Sequence, residues 1–296
     1  MITITCSILC YNYGRYLSQA IDSCLNQNPG DYQLEVLVID DGSTDETPEI
    51  CQSYGDRIRV VRSENQGFGA TLTRCIQEAS GDYVCLLDAD DYFSENKLIS
   101  LLPAIKQGYL FIENFQYHVN PSGKRLNDKV HGGSSTSTIC VQRSAALTLL
   151  PVGNNEIFFH PLRSAGRGIV LQEPLTCYRI HDKSMTNYRK LGAQHLYLAQ
   201  VTHQLADKLL DLSQKDECDW ANGDMLKKIS WEYRAVAYYD EMEAALELGE
   251  RQKAVAKGYQ LLISAFQSRL GVTSWHLKVL IRGILGRPLY LYAKKS

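Results

Sequence analysis

Tyr83-Val84-Cys85-Leu86-Leu87-Asp88-Ala89-Asp90-Asp91 is an apolar run that ends abruptly in three carboxylates. Its first five residues have the length and the β-branched and aromatic content of a buried strand. Carboxylates crowded at a strand end repel one another, and packing gives no reason for them. A hard divalent cation, Mg2+ or Mn2+, resolves the repulsion, because such ions take oxygen ligands and keep positions open for phosphate groups. An acidic turn before a helix beginning near Ser94 is the plainer reading, since Asp is a common turn former. The segments upstream decide between the two.

Working back from Tyr83, strand and helix patterns alternate. Ile2–Cys10, Leu34–Ile39 and Ile58–Arg62 read as strands. Tyr16–Gln27, Thr47–Tyr54 and Gly69–Ala79 read as helices, the first with Leu17, Ala20, Ile21, Cys24 and Leu25 on one face. Repeated βαβ units of this length imply a parallel sheet with helices on both faces. Working forward, Asn96–Ile105 reads as a helix and Tyr109–Val119 with Lys124-Arg125-Leu126 as a hairpin about Asn120-Pro121-Ser122-Gly123. The stretch from Gly132 to Thr138 reads as a flexible loop. Ile139–Arg143, a helix at Ser144–Leu150 and Gly168–Pro174 complete an α/β region ending at residue 188. From 189 to 296 the pattern is helical, with Ala235–Leu248 and Gln252–Leu270 as an antiparallel pair. The fold class is therefore α/β, an open and mostly parallel sheet flanked by helices, followed by a C-terminal all-helical region.

Composition agrees with an ordinary globular protein: 296 residues, 45% hydrophobic and 22% charged. Nine scattered cysteines form no CxxC pair, which argues against a zinc site and for reduced thiols in a cytoplasmic setting. Met1–Cys10 reads as a strand rather than a secretory leader, and no apolar run approaches the length of a membrane span. The net charge of −2 hides an asymmetry. Nine of the 31 basic side chains, and none of the 33 acidic ones, follow Glu250.

In a parallel sheet, three strand ends point the same way, and each carries groups suited to a nucleotide. They are Cys10-Tyr11-Asn12-Tyr13-Gly14, Asp40-Asp41-Gly42-Ser43 and Asp88-Ala89-Asp90. Tyr11 can stack on a base, Asp41 can accept a base N–H, and Asp88 can accept ribose hydroxyls. Singly, each has a bland explanation: a rim aromatic, an Asp-Gly turn, an acidic turn. Their recurrence in successive βα units makes coincidence a poor account. Gly67-Phe68-Gly69 suggests a dinucleotide loop, but Leu72 stands where a third glycine belongs.

On these motifs the chain resembles the family 2 glycosyltransferases, which have the A-type glycosyltransferase fold. The matching pieces are Ser7 to Leu17, Ala20 to Gln27, Val38-Ile-Asp-Asp-Gly-Ser-Thr-Asp45, Asn65-Gln-Gly67 and Gly81 to Asp91, with weaker matches at Val141 to Ser144 and Glu173 to His181. The resemblance covers roughly residues 1–188, with 1–100 as a nucleotide-binding half and 101–188 as an acceptor half. It implies a nucleotide-sugar donor, UDP-linked, and a glycan or lipid-linked acceptor in cell-surface polysaccharide or glycoconjugate assembly. It implies nucleotide contacts at Cys10, Tyr11, Asp41, Asp88, Ala89 and Arg179, and Mn2+ or Mg2+ held by Asp90 and Asp88. Inverting members of that family place a Glu-Asp pair, with the Asp as base, before a late glycine. Here Asn154-Asn155 stand at those positions before Gly166. An amide cannot serve as a general base. Glu156, one residue on, is the candidate if the loop shifts by one; a helix-start acid is its plainer explanation. The candidate catalytic residues are thus Glu156, Asn155 and His181, with Arg179 and His181 expected to meet the diphosphate or acceptor. His160 reads as a packing residue.

Two other readings compete. A catalytically weak nucleotide-sugar-binding scaffold is kept open by Asn154-Asn155, and a nucleotidyltransferase would want a Gly-rich phosphate loop that Tyr11–Tyr16 does not supply. The tail alternates Trp275, Leu277, Val279, Leu280, Ile284, Leu285, Leu289 and Tyr290 with Lys278, Arg282 and Arg287. That basic amphipathic profile suits either a docked last helix or peripheral contact with the inner face of an anionic membrane. Nothing in it resembles a nucleic-acid platform. The sequence leaves oligomeric state open.

Overall fold

The computed structural model describes residues 1–133, 135–153, 155–182, 192–215, 218–268, 279, 281 and 283. The chain divides into two compact units, Met1–Asp182 and Lys183–Ser296.

The first unit is built on a nine-stranded sheet. Its strands are β1 (Ile2–Cys10), β2 (Tyr32–Asp40), β3 (Arg59–Arg62), β4 (Tyr83–Asp88), β5 (Tyr92–Phe93), β6 (Phe111–Val119), β7 (Arg125–His131), β8 (Ile139–Gln142) and β9 (Gly168–Arg179). Their order is β3-β2-β1-β4-β8-β6-β9-β5, with β7 paired to β6. The first four strands run parallel, as the βαβ pattern requires. Beyond β4 the sheet is mixed: β8 is antiparallel to both β4 and β6, and β6 is parallel to β9. β1 and β4 are central and buried on both faces, which explains their continuous apolar runs. The helices of this unit are α1 (Gly14–Leu25), α2 (Thr47–Tyr54), α3 (Phe68–Glu78), α4 (Lys97–Lys106), α5 (Arg143–Thr148) and α6 (Pro161–Ser164). α1 buries Leu17, Ala20, Ile21 and Cys24, from the face its spacing marks, in one core with Ile4, Ile8, Val38 and Leu101.

Two expectations need correction. β9 runs on to Arg179 rather than ending at Pro174, with register shifts where Pro174 cannot donate to the ladder. The stretch read as a flexible loop holds a 310 turn, Thr136–Thr138, that is buried throughout. Its hydroxyls explain the burial: Ser135 Oγ donates to Gln116 and Thr138 Oγ1 to the Ser135 carbonyl. All nine cysteines are free thiols.

The second unit contains α7 (Ala193–Leu212), α8 (Gly223–Glu247) and α9 (Arg251–Gln267). α8 begins a full 12 residues before the expected Ala235, because the Asn222 side chain caps it by accepting the Met225 N–H at 2.9 Å. Gly249, at φ 77°, turns the chain into α9, and Ala235, Met242, Ala245, Ala254 and Leu261 share a core between the two helices. Asn154 and nearly all of the basic tail lie outside the described residues. Among the described residues no helix is long and apolar enough to cross a membrane.

Candidate functional site

The strand order places β2, β1 and β4 side by side, with Cys10 opposite Asp40 and Leu9 opposite Asp88. Their C-terminal ends therefore form one edge, where open α/β sheets bind ligands. The loops there are stitched together. Asn12, at φ 57°, donates its N–H to Ser43 Oγ at 2.9 Å and accepts the Thr44 N–H at 2.8 Å. Tyr11, next to it, is left 45% exposed, a ring available for stacking. Asp41 is buried, and its two carboxylate oxygens accept the N–H groups of Gln66 and Gly67, both at 2.9 Å. It thereby fixes the third loop against the second. Gly42, at φ 81°, allows the close approach: a Cβ there would lie 2.8 Å from the Asn65 nitrogen.

Two expected contacts are backbone features only. The Cys10 thiol points inward, 3.7 Å from Thr47 Oγ1, and burial pushes it up to about 12. The Cys10 carbonyl instead accepts the Asp41 N–H at 2.9 Å. Ala89 is likewise buried, its N–H donated to the Leu9 carbonyl at 3.0 Å.

The acidic turn is closed by its own backbone, Asp91 N–H to the Asp88 carbonyl at 3.0 Å. Asp91 is buried and turned inward, accepting Ser137 Oγ–H at 2.6 Å and the Arg179 N–H at 2.8 Å. Asp88 and Asp90 remain partly accessible at the edge. Burial, then the charges of Asp90, Asp91 and Glu156, holds the Asp88 carboxyl well above the usual carboxylate range, with a Ser137 hydrogen bond opposing. Burial and Asp90 do the same to Asp91. These carboxylates are in want of positive charge.

Arg179 does not reach outward to a ligand, contrary to expectation. Its side chain is 1% exposed, and all its nitrogens are engaged by the protein. Nε donates to the Asp90 carbonyl at 2.5 Å, Nη1 to the carbonyls of Pro121 at 2.7 Å and Asn120 at 3.3 Å, and Nη2 to Gln19 at 2.6 Å. The guanidinium also lies 4.5 Å above the Tyr16 ring. It clamps the acidic turn from below. His181 follows two residues later and does reach the edge: its Nε2 is 2.8 Å from Asp90 Oδ2, with its ring packed against Tyr13 and Tyr16.

Glu156 opens a 310 turn, Glu156–Phe159, that Asn155 caps by accepting the Ile157 N–H at 3.0 Å. Asn155 thus has a structural task. Glu156 is close enough for its charge to raise the Asp88 carboxyl. Burial raises the Glu156 carboxyl itself and Glu113 adds to it, while a hydrogen bond from its own backbone and one from Thr136 oppose. His160 packs edge-on to Phe111, and burial lowers it to about 4. The sequence reading missed Ser137, hidden in a Ser/Thr-rich stretch, and Lys97, an unremarkable helix lysine that proves 0% exposed. It also missed Tyr13, whose hydroxyl is pushed up by burial and by Asp90 and Asp88.

The partly accessible donors, Asp88 and Asp90, are hard oxygens that fit Mg2+ or Mn2+. Among the described residues no group of three or more His, Cys, Asp or Glu side chains forms a ready cage.

Comparison with known proteins gives a consistent picture. Residues 5–150 match the family model described as Glycosyl transferase family 2. An uncharacterized glycosyltransferase of Haemophilus influenzae is 38% identical over 112 residues, which cover 36% of this chain and 44% of that protein. Glycosyltransferase GlyG of Streptococcus pneumoniae is 35% identical over 102 residues, 33% of either chain. The matches thus span less than half the length of these relatives. Among solved structures, S. aureus TarS 1–349 in complex with UDP-GlcNAc superposes with a TM-score of 0.67 at 15% identity, covering 100% of this chain and 92% of that one. Mannosyltransferase PcManGT from Pyrobaculum calidifontis, in complex with GDP-Man and Mn2+, does so with a TM-score of 0.50 at 15% identity, covering 98% and 85%. At that identity the likeness speaks to the fold alone.

Proposed function

We propose, from the match of residues 5–150 to glycosyl transferase family 2 and the A-type glycosyltransferase fold of the α/β unit, that the chain moves a sugar from a UDP-linked donor to a glycan or lipid-linked acceptor. The observation that carries this reading is the meeting of Tyr11, Asp41, Asp88 and Asp90 along one sheet edge, where the first two loops hydrogen-bond to one another and Asp41 ties in the third, with Glu156 near enough for its charge to raise the Asp88 carboxyl. In this reading Tyr11 stacks on the base, and Asp41 orders the loop around it. Asp88 meets the ribose, and Asp90, with Asp88, holds Mn2+ or Mg2+. A divalent ion there supplies charge stabilisation for the departing nucleoside diphosphate. Asp90 and His181 converge on one point, so His181 can orient Asp90 or share its cation.

Glu156 is the proposed base for an inverting transfer. Its raised carboxyl, in a buried setting beside Asp88, makes it a stronger proton acceptor near neutrality than an exposed glutamate. Asn155 serves the turn that presents it. The setting we propose is cell-surface polysaccharide or glycoconjugate assembly, on the cytoplasmic side, with the acid-free stretch after Glu250 making peripheral membrane contact. The second reading, a nucleotide-sugar-binding scaffold, is favoured by the amide cap at Asn155. Incubation with a panel of UDP-sugars and Mn2+, with and without glycan acceptors, tests the choice. Metal-dependent release of UDP supports the transferase. Tight binding of UDP-sugar without any release favours the scaffold.

A further inference from the structure

The acidic turn is held by residues that touch neither solvent nor any expected ligand. Ser137 is 0% exposed, and its hydroxyl does two things at once: it accepts the Asp88 N–H at 3.0 Å and donates to Asp91 Oδ2 at 2.6 Å. It therefore joins the first and last residues of the turn Asp88–Asp91, across 46 positions of sequence. The carbonyl of the same residue is fixed from behind. Lys97 Nζ donates to it at 2.8 Å, and Thr176 Oγ1 donates to it at 2.9 Å. Lys97 is itself 0% exposed, with Nζ also donating to Thr176 Oγ1 at 3.2 Å and lying 3.8 Å over the Phe93 ring. Asn114 completes the set by donating to Thr176 Oγ1 at 3.0 Å.

Taking an ammonium out of water is costly, and a methionine would fill the same space without that cost. Packing therefore does not explain Lys97. Its position does. Its acceptors are a carbonyl, a hydroxyl and an aromatic face, and the carbonyl belongs to the residue that clips the turn. Oxygen ligands bind a cation well only when their own supports hold them in place.

We infer that Ser137 and Lys97 are positioning residues that hold the Asp88 and Asp90 carboxylates in ligating geometry, Ser137 by closing the turn and Lys97 by fixing Ser137. This rests on the nucleotide-sugar reading above. Neither residue touches the reacting atoms. The clip does not touch Tyr11 or Asp41, and of the nucleoside contacts it bears only on Asp88 at the ribose, so its loss weakens the cation more than the base.

Ser137→Ala removes the hydroxyl and adds no volume. Calorimetric titration of UDP into wild type and variant, each with and without Mn2+, reads the effect. The Mn2+-dependent affinity should fall about 10- to 100-fold, and the metal-free UDP affinity, which draws on Asp88 at the ribose alone, should fall by far less. Amide exchange of Asp88, followed by NMR, should accelerate about tenfold or more as its acceptor disappears. Lys97→Met should reproduce the loss of metal-dependent affinity, and the double variant should be no worse than either single one, since both act through one clip. Should Lys97→Met fail to fold, Ser137→Ala decides alone. Wild type that binds UDP only with Mn2+, alongside a Ser137→Ala variant that binds equally well, would overturn the clip and leave the donor reading standing. So would equal weakening with and without metal, the mark of general loosening. Wild type that binds no UDP at all would overturn both.

Discussion

Replacing Arg179 by methionine should destabilise the α/β unit severely while leaving the edge residues chemically intact. The side chain donates four hydrogen bonds, to Asp90, Asn120, Pro121 and Gln19, and stacks on Tyr16. Hydrogen bonds from a charged group contribute about 1.5–3 kcal/mol each when isolated, but they share one guanidinium and its desolvation opposes them. Removing one partner from a buried charged network typically costs about 3–5 kcal/mol, and Asp91 also loses a nearby positive charge. Against a total of roughly 5–15 kcal/mol for a whole domain, that is a large share. At roughly 2–4 °C per kcal/mol for a unit of this size, the melting temperature should fall by about 10 °C. Arg179→Lys should not rescue it, because an ammonium has three donors and no planar fork. The assay must be chosen with care: Trp220, Trp231 and Trp275 all lie beyond Asp182, so tryptophan fluorescence does not report on this unit. Scanning calorimetry or the near-ultraviolet tyrosine signal does. A melting temperature within about 2 °C of wild type would refute the clamp.

Asp90→Asn should abolish Mn2+-dependent UDP affinity with the fold intact by circular dichroism; unchanged affinity would remove Asp90 as a ligand. Glu156→Gln should lower turnover by about 10²–10⁴-fold with donor affinity preserved, and equal turnover would remove it as the base. pH dependence should carry two opposed signatures. The carboxyls of Asp88, Asp91 and Glu156 are raised in the folded state, so it binds their protons more readily than the unfolded chain does. Their contribution to stability therefore grows as pH falls through those raised values. His160 is lowered to about 4, so its contribution is present above its unfolded value of about 6.5 and is lost as pH falls toward 4. Thermal melts of metal-free wild type and His160→Phe, between about pH 8 and pH 4, should show the variant more acid-resistant; parallel curves would contradict the assignment.

How far the sequence could be read depended on whether a feature was local. β1, α1, α2 and β4 were legible because burial on both faces, or on one helical face, writes itself into periodicity. The placement of Tyr11, Asp41, Asp88 and Asp90 on one edge was legible because parallel strands bring successive loops to the same end of the sheet. Long-range roles were not. Arg179 could not be told from a phosphate-binding arginine, since its partners Gln19 and Pro121 lie 160 and 58 positions away. Ser137 looked like part of a flexible Ser/Thr run because its donor, the Asp88 N–H, sits on β4 and its acceptor, Asp91, in the turn beyond it. Lys97 carried no signal at all: a buried lysine and an exposed one look alike in sequence. The start of α8 was missed because a single side-chain cap, Asn222, sets it, and a cap leaves no mark on the apolar periodicity.

Calorimetric titration of UDP, GDP and CDP into the full chain, each with and without Mn2+, reads whether this sheet edge binds a nucleoside diphosphate through a divalent ion. UDP should bind, more tightly with Mn2+ than without, and GDP and CDP should bind more weakly. Binding of none of the three, or UDP binding indifferent to Mn2+ and unchanged in Asp90→Asn, would rule that binding mode out.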